Sequence, residues 1–322
     1  MQMPLQPLAA ALAILALSTA LAIAEVAPAP PREAFIPNQI GDSLSVIDLA
    51  SSNTSAEIHI GGKPAGIAMS PDRAFAYVSS PDGKEVVVVN AATRAIERRI
   101  QAGEGPLGIA VNPRSGVLYV ADWYRHEIME IDPIKGQISR RVTVGNSPSG
   151  IAVTPDGAML LSADRDSNQV SFIDAATFER RTVTAVGSHP FGITLSPDAK
   201  LAFTANVESN DVSVIDVAAR TVVATVKVGN RPYAVALANG RAFVTNQHAG
   251  TVSVIDLSTY ALIKAITVGE FPEGIEATAD GRHVFVACWD ANTLEEIDAI
   301  TLEVVARIPV GNGPRAFGMF LR

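Results

Sequence analysis

The chain has 322 residues, of which 48% are hydrophobic and 18% are charged. This composition excludes a largely disordered chain, because disorder requires low hydrophobicity and high charge. A net charge of −8 argues against a general polyanion binder, and the single cysteine excludes an internal disulfide or a thiolate zinc cluster.

The first 24 residues predict a secretory signal peptide. They contain no charged residue, residues 8–24 are almost entirely Ala, Leu and Ile, and the stretch ends in the small-x-small motif Ala22-Ile23-Ala24. We predict cleavage after Ala24, a periplasmic or secreted bacterial protein, and a Pro-rich tether over residues 25–34. The alternative is an uncleaved membrane anchor, although about 17 apolar residues lie at the lower limit for crossing a bilayer.

A sequence repeat organises the rest of the chain. A Gly-x-x-Pro motif occurs seven times, and successive prolines are 42, 42, 42, 42, 40 and 42 residues apart. Apolar runs that end in Asp or Asn follow the same spacing, including the one shorter interval. The motifs lie at residues 61–64, 103–106, 145–148, 187–190, 229–232, 269–272 and 311–314, and the runs end at Asp48, Asn90, Asp132, Asp174, Asp216, Asp256 and Asp298.

Each repeat contains four short runs with the composition of β-strands. In one repeat these runs cover residues 191–195, 201–206, 212–216 and 222–228, where Val, Ile, Thr, Phe and Tyr are frequent. The segments between the runs have turn chemistry, such as Ser196-Pro197-Asp198. The shorter repeat has the tight hairpin signal Asn239-Gly240 instead, so its two missing residues come from a loop.

Four strands per repeat predict an all-β fold, a seven-bladed β-propeller with four antiparallel strands in each blade. The single domain would cover residues 35–322. Only one strand, residues 316–321, follows the last motif, whereas three strands' worth of chain precedes the first motif. We therefore predict that residues 316–321 pair with the strands of residues 35–60 and close the ring as the innermost strand of a shared blade.

Four segments resemble the Tyr-Val-Thr-Asn motif of the YVTN β-propeller repeats: Phe35-Ile-Pro-Asn38, Tyr77-Val-Ser-Ser80, Tyr119-Val-Ala-Asp122 and Phe243-Val-Thr-Asn246. Flanking Val-Gly-Asn-x-Pro, Ser-Pro-Asp-Gly and Val-Ser-Val-Ile-Asp elements match as well, and the resemblance covers residues 35–321. It implies a propeller similar to exported YncE-like proteins. Other relatives are archaeal surface-layer proteins, propellers beside PQQ-dependent alcohol oxidation systems and haem-binding propellers of cytochrome cd-type nitrite reductases. Such a resemblance does not decide function.

Topology predicts which loops share a face of the ring. Strands of a meander alternate in direction, so the Gly-x-x-Pro connections lie on the same face as the loops between the second and third strands. We call this face the first rim, and the face formed by the other turns the opposite rim. The first rim holds the candidate ligand-binding residues Trp123, Tyr124, Arg125, His126, Arg165, His189, Phe191, Arg231, Tyr233, His248, Trp289 and Arg315, together with Lys63 and Lys84.

These residues predict an aromatic and cationic surface around a central funnel, where a ligand or partner would bind. The alternative is a solvated loop surface with scattered rings. Residues 122–126 are the segment richest in aromatic and charged side chains, and they predict either a recognition loop or ordinary loop packing. The three histidines, His126, His189 and His248, are possible metal or haem ligands by chemistry, but no paired-histidine spacing supports a metal site and none is predicted.

Glu276 completes the candidate site. Equivalent positions in the other innermost strands hold Ala, Thr or Gly, so a carboxylate here should be paired or solvated, with Arg315 or Lys63 as expected partners. Cys288 occupies the repeat position that is Asn206 and Asn246 in two other repeats, and we predict that it is a buried, inert thiol.

No catalytic residues are predicted, because the chain lacks a Gly-x-Ser-x-Gly elbow and a phosphate-binding glycine loop. The favoured hypothesis is an exported, non-catalytic binding or scaffold protein whose first rim contacts a protein partner or a small ligand. The alternative, motivated by the resemblance alone, is an accessory of periplasmic redox metabolism that binds a quinone, haem or metal cofactor at the same rim. Single-stranded nucleic acid binding is a third class, disfavoured by the acidic composition. The sequence identifies no cofactor.

Overall fold

The structure, a computed structural model, describes residues 1, 2 and 32–322. Nearly all of the predicted signal peptide and residues 25–31 of the predicted tether lie outside the described residues. The first described strand begins at Glu33, two residues before the predicted start of the domain. No helix in the described part of the chain has the length and apolar character needed to cross a membrane.

Six blades each contain four consecutive antiparallel strands. The first two of these blades contain β4 (Gly66–Met69), β5 (Phe75–Ser80), β6 (Glu85–Asn90) and β7 (Ile96–Gln101), and β8 (Pro106–Val111), β9 (Leu118–Asp122), β10 (Glu127–Asp132) and β11 (Gln137–Thr143). The next two contain β12 (Pro148–Val153), β13 (Met159–Asp164), β14 (Gln169–Asp174) and β15 (Glu179–Ala185), and β16 (Pro190–Leu195), β17 (Leu201–Asn206), β18 (Asp211–Asp216) and β19 (Thr221–Lys227). The last two contain β20 (Pro232–Ala238), β21 (Arg241–Asn246), β22 (Thr251–Asp256) and β23 (Leu262–Thr267), and β24 (Pro272–Ala277), β25 (His283–Cys288), β26 (Thr293–Asp298) and β27 (Glu303–Pro309). Two short 3-10 helices, Arg165–Ser167 and Gln247–Ala249, lie in loops of the first rim.

The seventh blade joins the two ends of the described chain. Its consecutive strands are β1 (Glu33–Asn38), β2 (Ser43–Asp48) and β3 (Asn53–His59), and the C-terminal segment supplies the inner edge. The structure is therefore a seven-bladed β-propeller of four-stranded antiparallel blades, as the repeat predicts. Most residues of the second and third strands are buried, because neighbouring blades cover both faces, whereas the outermost strands alternate between exposed and half-buried residues.

The C-terminal segment closes the ring in a less regular way than predicted. It meets β1 in two isolated bridges, Asn38 with Pro314 and Ala34 with Leu321. Seven positions separate the bridged residues on the C-terminal segment but only four on β1, so the segment bulges. Within the bulge, β28 (Phe317–Gly318) pairs in parallel with β4 of the next blade. The predicted closure is confirmed, and the segment also joins two neighbouring blades.

The apolar runs end in carboxylates or amides that stabilise turns on the opposite rim. The Asp174 carboxylate, for example, accepts hydrogen bonds from the backbone N–H groups of Ala176 and Thr177, each at 2.9 Å. Equivalent bonds occur at Asn90, Asp132, Asp256 and Asp298. These repeated Asp and Asn residues are therefore structural turn elements.

Candidate functional site

The two sets of loops predicted to share the first rim are hydrogen-bonded to each other. Val207 N donates to His189 O, and Gln247 N donates to Arg231 O, both at 2.9 Å. Each bond joins the loop after the second strand of a blade to the connection that enters the same blade. The predicted division of the loops between two rims is confirmed.

Seven side chains surround the propeller axis at the first rim, and we name them the axial ring. Each follows the proline of a Gly-x-x-Pro motif, and they are Ala65, Leu107, Ser149, Phe191, Tyr233, Glu273 and Arg315. Four of them come from different blades yet belong to one buried cluster, which Phe317 also joins. The Phe191 ring centroid lies 4.3 Å from that of Tyr233 and 5.0 Å from that of Phe317. The axial ring therefore fills the funnel that we expected at this rim.

The inner strands approach closely just below the axial ring. A Cβ atom added to Gly108 would lie 1.7 Å from Ser149 O of the next blade, which no side chain could tolerate. This glycine follows Leu107 of the axial ring, and four other blades have a glycine with a similar close approach at the equivalent position. The Pro-x-Gly pattern therefore lets the inner strands of neighbouring blades approach each other closely.

Glu273 and Arg315 form an ion pair inside the axial ring. Glu273 Oε2 lies 3.1 Å from Arg315 Nε, and Gln247 Nε2 donates to Glu273 Oε1 at 2.6 Å. Arg315 also donates from Nε and Nη2 to the Tyr233 hydroxyl, at 2.9 and 2.6 Å. Burial raises the pKa of Tyr233, so its hydroxyl stays protonated. Glu273 is absent from the predicted site. It occupies the position equivalent to Tyr233 in the next repeat, and this equivalence could have identified it as a site residue.

The cations of the first rim are paired with carboxylates. All six predicted cations lie within 3.3 Å of an acidic oxygen. The pairs are Lys63 with Asp42, Lys84 and Arg125 with Glu104, Arg165 with Asp166, Arg231 with Glu208, and Arg315 with Glu273. The cations of the first rim are therefore paired with five carboxylates that the repeat does not mark, and Glu104 contacts two of the cations.

His126 has a structural role that the repeat explains. Its Nδ1 accepts a hydrogen bond from Ser147 N at 3.0 Å. The residues at the equivalent position of neighbouring repeats, Asn168 and Asn210, accept the same kind of bond from the next connection. His126 therefore replaces an asparagine that links adjacent blades, and its Nε2 carries the proton in the neutral ring.

The other two rim histidines lie in separate surroundings. His189 Nε2 is 3.6 Å from Asp166 Oδ1, and its backbone is left-handed, as it is at the equivalent Arg231. The exposed ring of His248 packs edge-on against Phe271, with centroids 5.3 Å apart. The three histidines thus have different partners. Among the described residues, no three His, Cys, Asp or Glu side chains are grouped as a metal site.

The dense segment 122–126 is held by its first residue. Buried Asp122 accepts backbone N–H bonds from Tyr124 and Arg125 within the segment and from Glu104 and Gly105 of the adjacent connection. The Tyr124 side chain is left on the surface, 69% exposed. This arrangement fits the recognition-loop interpretation, because a fixed backbone presents an exposed aromatic ring.

Trp123 and Trp289 lie in two different aromatic groups of the first rim. Trp123 lies 6.3 Å from the axial-ring residue Phe191, and the Arg165 guanidinium is 5.7 Å from the Trp123 ring. Trp289 lies 6.3 Å from Phe271, which is 36% exposed. The first rim therefore offers two separate aromatic surfaces, one around Tyr124 and one around Phe271.

The channel of the propeller opens on the opposite rim. Its cavity has a volume of about 830 Å³ and is lined by the inner strands and the turns that follow them. The lining is mainly apolar, and its charged residues are Arg73, Glu276 and Asp280. Phe317 lies at its inner end, next to the axial ring. The concave cavity therefore opens on the opposite rim, whereas the sequence predicted a funnel on the first rim.

Glu276 lines this cavity and does not belong to the first rim. Its Oε2 accepts hydrogen bonds from Phe320 N at 2.5 Å and Leu321 N at 2.8 Å. The expected partners Arg315 and Lys63 are instead paired with other carboxylates, so that expectation is wrong. Burial raises the pKa of Glu276 to about 7, against the opposing effect of the two N–H groups and of Arg73.

We expect Glu276 to make stability fall as pH rises from about 4.5 to about 7. The folded state binds the proton more tightly than the unfolded state, so ionisation in this window disfavours folding. Replacing Glu276→Gln should remove about 2 kcal/mol of this pH dependence. Urea unfolding at pH 5 and pH 7.5 measures the difference, with exposed Glu270→Gln as the matched control. Equal pH dependence in wild type and Glu276→Gln would contradict the assignment.

Cys288 is buried, as the sequence predicts. Burial raises the pKa of its thiol to about 12, so the thiolate is strongly disfavoured. Asn206 and Asn246, which occupy the same slot, are also fully buried.

No family model matches the sequence, and no curated protein matches it. Solved structures do resemble it. A hydrazine synthase of Kuenenia stuttgartiensis is 20% identical with a TM-score of 0.71, covering 79% of this chain and 89% of that chain. A functionally unknown protein from Desulfotomaculum acetoxidans is 16% identical with a TM-score of 0.76, covering 87% and 98%. The dihydro-heme d1 dehydrogenase NirN, solved in complex with DHE, is 16% identical with a TM-score of 0.67, covering 87% and 74%. At these identities the likeness shows a shared propeller fold.

Proposed function

We propose that this chain is an exported, non-catalytic propeller of the YVTN type that binds a partner protein through its first rim. The observation that carries the proposal is the exposure of Tyr124 and Phe271 on a face whose loops are held by hydrogen bonds. Aromatic side chains on a rigid surface are typical anchors of protein interfaces.

The filled axis favours a protein over a small ligand at this rim. Phe191, Tyr233 and Phe317 pack together and occupy the centre of the first rim, where a funnel would enclose a small molecule. A partner protein needs no funnel, because it can contact the two aromatic surfaces and the loops between them.

Paired charges count against the nucleic acid alternative. Binding of single strands combines aromatic stacking with free cations along the backbone. Here the cation of Arg125, next to Tyr124, is 3.1 Å from Glu104, and the chain is acidic overall.

The haem or metal alternative is compatible with the fold, but the described residues provide no grouped set of metal ligands. Two similar structures bear the names of a hydrazine synthase and of the dihydro-heme d1 dehydrogenase NirN in complex with DHE, but these likenesses concern the fold. In this chain the rim histidines have separate partners, and neither His nor Cys lines the axial cavity. We infer no chemistry through a cofactor.

We expect a photo-crosslinking amino acid at Tyr124 or Phe271 to form a specific adduct with one protein in the native cell envelope. Ile134 is the matched control, because it is an apolar residue of the opposite rim with 83% exposure. With the captured partner purified, Tyr124→Ala or Phe271→Ala should weaken binding by about tenfold or more. Adducts from Ile134 alone, or unchanged affinity of both alanine variants, would assign the interface elsewhere.

A further inference from the structure

The axial cavity has the properties of a small-molecule site, and no part of the function proposed above uses it. Its volume of about 830 Å³ lies in the range of ligand pockets. Small apolar side chains such as Ala110, Ala152 and Ala236 form much of its wall, and Phe317 closes its inner end. An apolar molecule that enters from the opposite rim would therefore be enclosed on all sides but one.

Glu276 is an incompletely paired carboxylate in this apolar wall. Both of its hydrogen bonds, from Phe320 N and Leu321 N, go to Oε2. Within residues 32–322, Glu276 Oε1 accepts no hydrogen bond, so one carboxylate oxygen is free to meet a ligand. A carboxylate in apolar surroundings is costly unless a charge or a donor pairs with it.

The charges around the cavity favour a cationic partner. Its charged lining residues are Glu276, Asp280 and Arg73, which together carry one net negative charge. The Arg73 guanidinium donates to the Leu321 carbonyl oxygen, and the Asp280 carboxylate is bound by Thr278 and Arg282 N. Arg73 and Asp280 lie in the turns at the mouth, whereas Glu276 lies on β24 inside the cavity.

We propose that the axial cavity binds a small amphiphile with one ammonium group, which pairs with Glu276 Oε1 while the apolar body packs against the inner strands. The carboxylate supplies a charge-assisted hydrogen bond, and the alanine wall supplies the apolar surface. This site is independent of the first rim and of its partner protein.

The test compares 1-naphthylmethylamine with its neutral counterpart 1-naphthylmethanol by titration calorimetry of the purified protein at pH 8. We expect the amine to bind about tenfold more tightly than the alcohol. In Glu276→Gln, which retains an acceptor for the two backbone N–H groups, this preference should fall to within about twofold. Exposed Glu270→Gln, a carboxylate of the first rim, should keep the full preference.

A second variant tests, independently of Glu276, whether the probes bind in the axial cavity. Ala152 occupies the position equivalent to Glu276 three blades away, on the far side of the channel. Ala152→Phe should narrow the cavity opposite Glu276 and weaken binding of both probes, with folding checked by circular dichroism. Equal binding of amine and alcohol to wild type, no binding of either, or an amine preference that persists in Glu276→Gln would each overturn the proposal and leave Glu276 as a structural link to the C-terminal segment alone.

Discussion

Replacing Phe320→Ala is expected to lower the free energy of unfolding by about 4 kcal/mol. The Phe320 side chain is fully buried in a cluster that contains Phe35 of β1 and Phe285 of β25. Its backbone also links three parts of the fold, since Phe320 O accepts from Phe35 N and Phe320 N donates to Glu276. Because this segment closes the ring, a cavity here loosens the contact between the last and the first strands.

Met319→Ala provides the matched control for this prediction. Met319 is the neighbouring residue of the same segment, and its side chain is 58% exposed. Its replacement should change the free energy of unfolding by about 0.5 kcal/mol at most. Chemical unfolding followed by circular dichroism compares the two variants. Similar stabilities of Phe320→Ala and Met319→Ala would show that the C-terminal segment contributes little to closure.

Replacing Arg315→Met should destabilise the protein by about 3 kcal/mol, because it leaves the buried Glu273 carboxylate without a counter-charge. Glu273 is 5% exposed, and Arg315 is the cation within its reach in the described structure. The Tyr233 hydroxyl would also lose its two donors from the guanidinium. The effect is therefore expected to exceed that of losing any exposed ion pair of the first rim.

The double variant Glu273→Gln with Arg315→Met separates charge from packing. A glutamine at position 273 removes the unpaired charge and can keep the hydrogen bond with Gln247. We expect the double variant to recover at least half of the stability lost in Arg315→Met, as measured by urea unfolding. A double variant no more stable than Arg315→Met would mean that the arginine acts through its packing and not through the ion pair.

The blades could be predicted from the sequence because their causes are local or periodic. Strand composition, turn residues and the constant spacing of Gly-x-x-Pro each depend on a few neighbouring positions. The same spacing assigned loops to rims, since antiparallel strands alternate in direction. The ring closure also followed, because one strand after the last motif and three before the first motif make one blade.

The candidate site was harder to predict, because it depends on distances between blades. Arg315 and Glu273 are 42 residues apart, and Lys84 and Glu104 are 20 residues apart, yet each pair is in contact. Repeat alignment marks Glu276 as unusual but assigned it to the wrong rim. Counting along β24 would have corrected this, because Glu276 lies four positions after Pro272, about 13 Å along an extended strand.

By itself, the sequence determined the architecture of this protein: the number of blades, the strands of each blade, the loops of each rim and the burial of Cys288. These features follow from residue type and spacing alone. Only the tertiary structure decided that Phe191, Tyr233 and Phe317 fill the axis at the first rim, that carboxylates pair with its cations, and that the cavity opens on the opposite face. The reason is that all three depend on where side chains from separate blades meet around a shared axis.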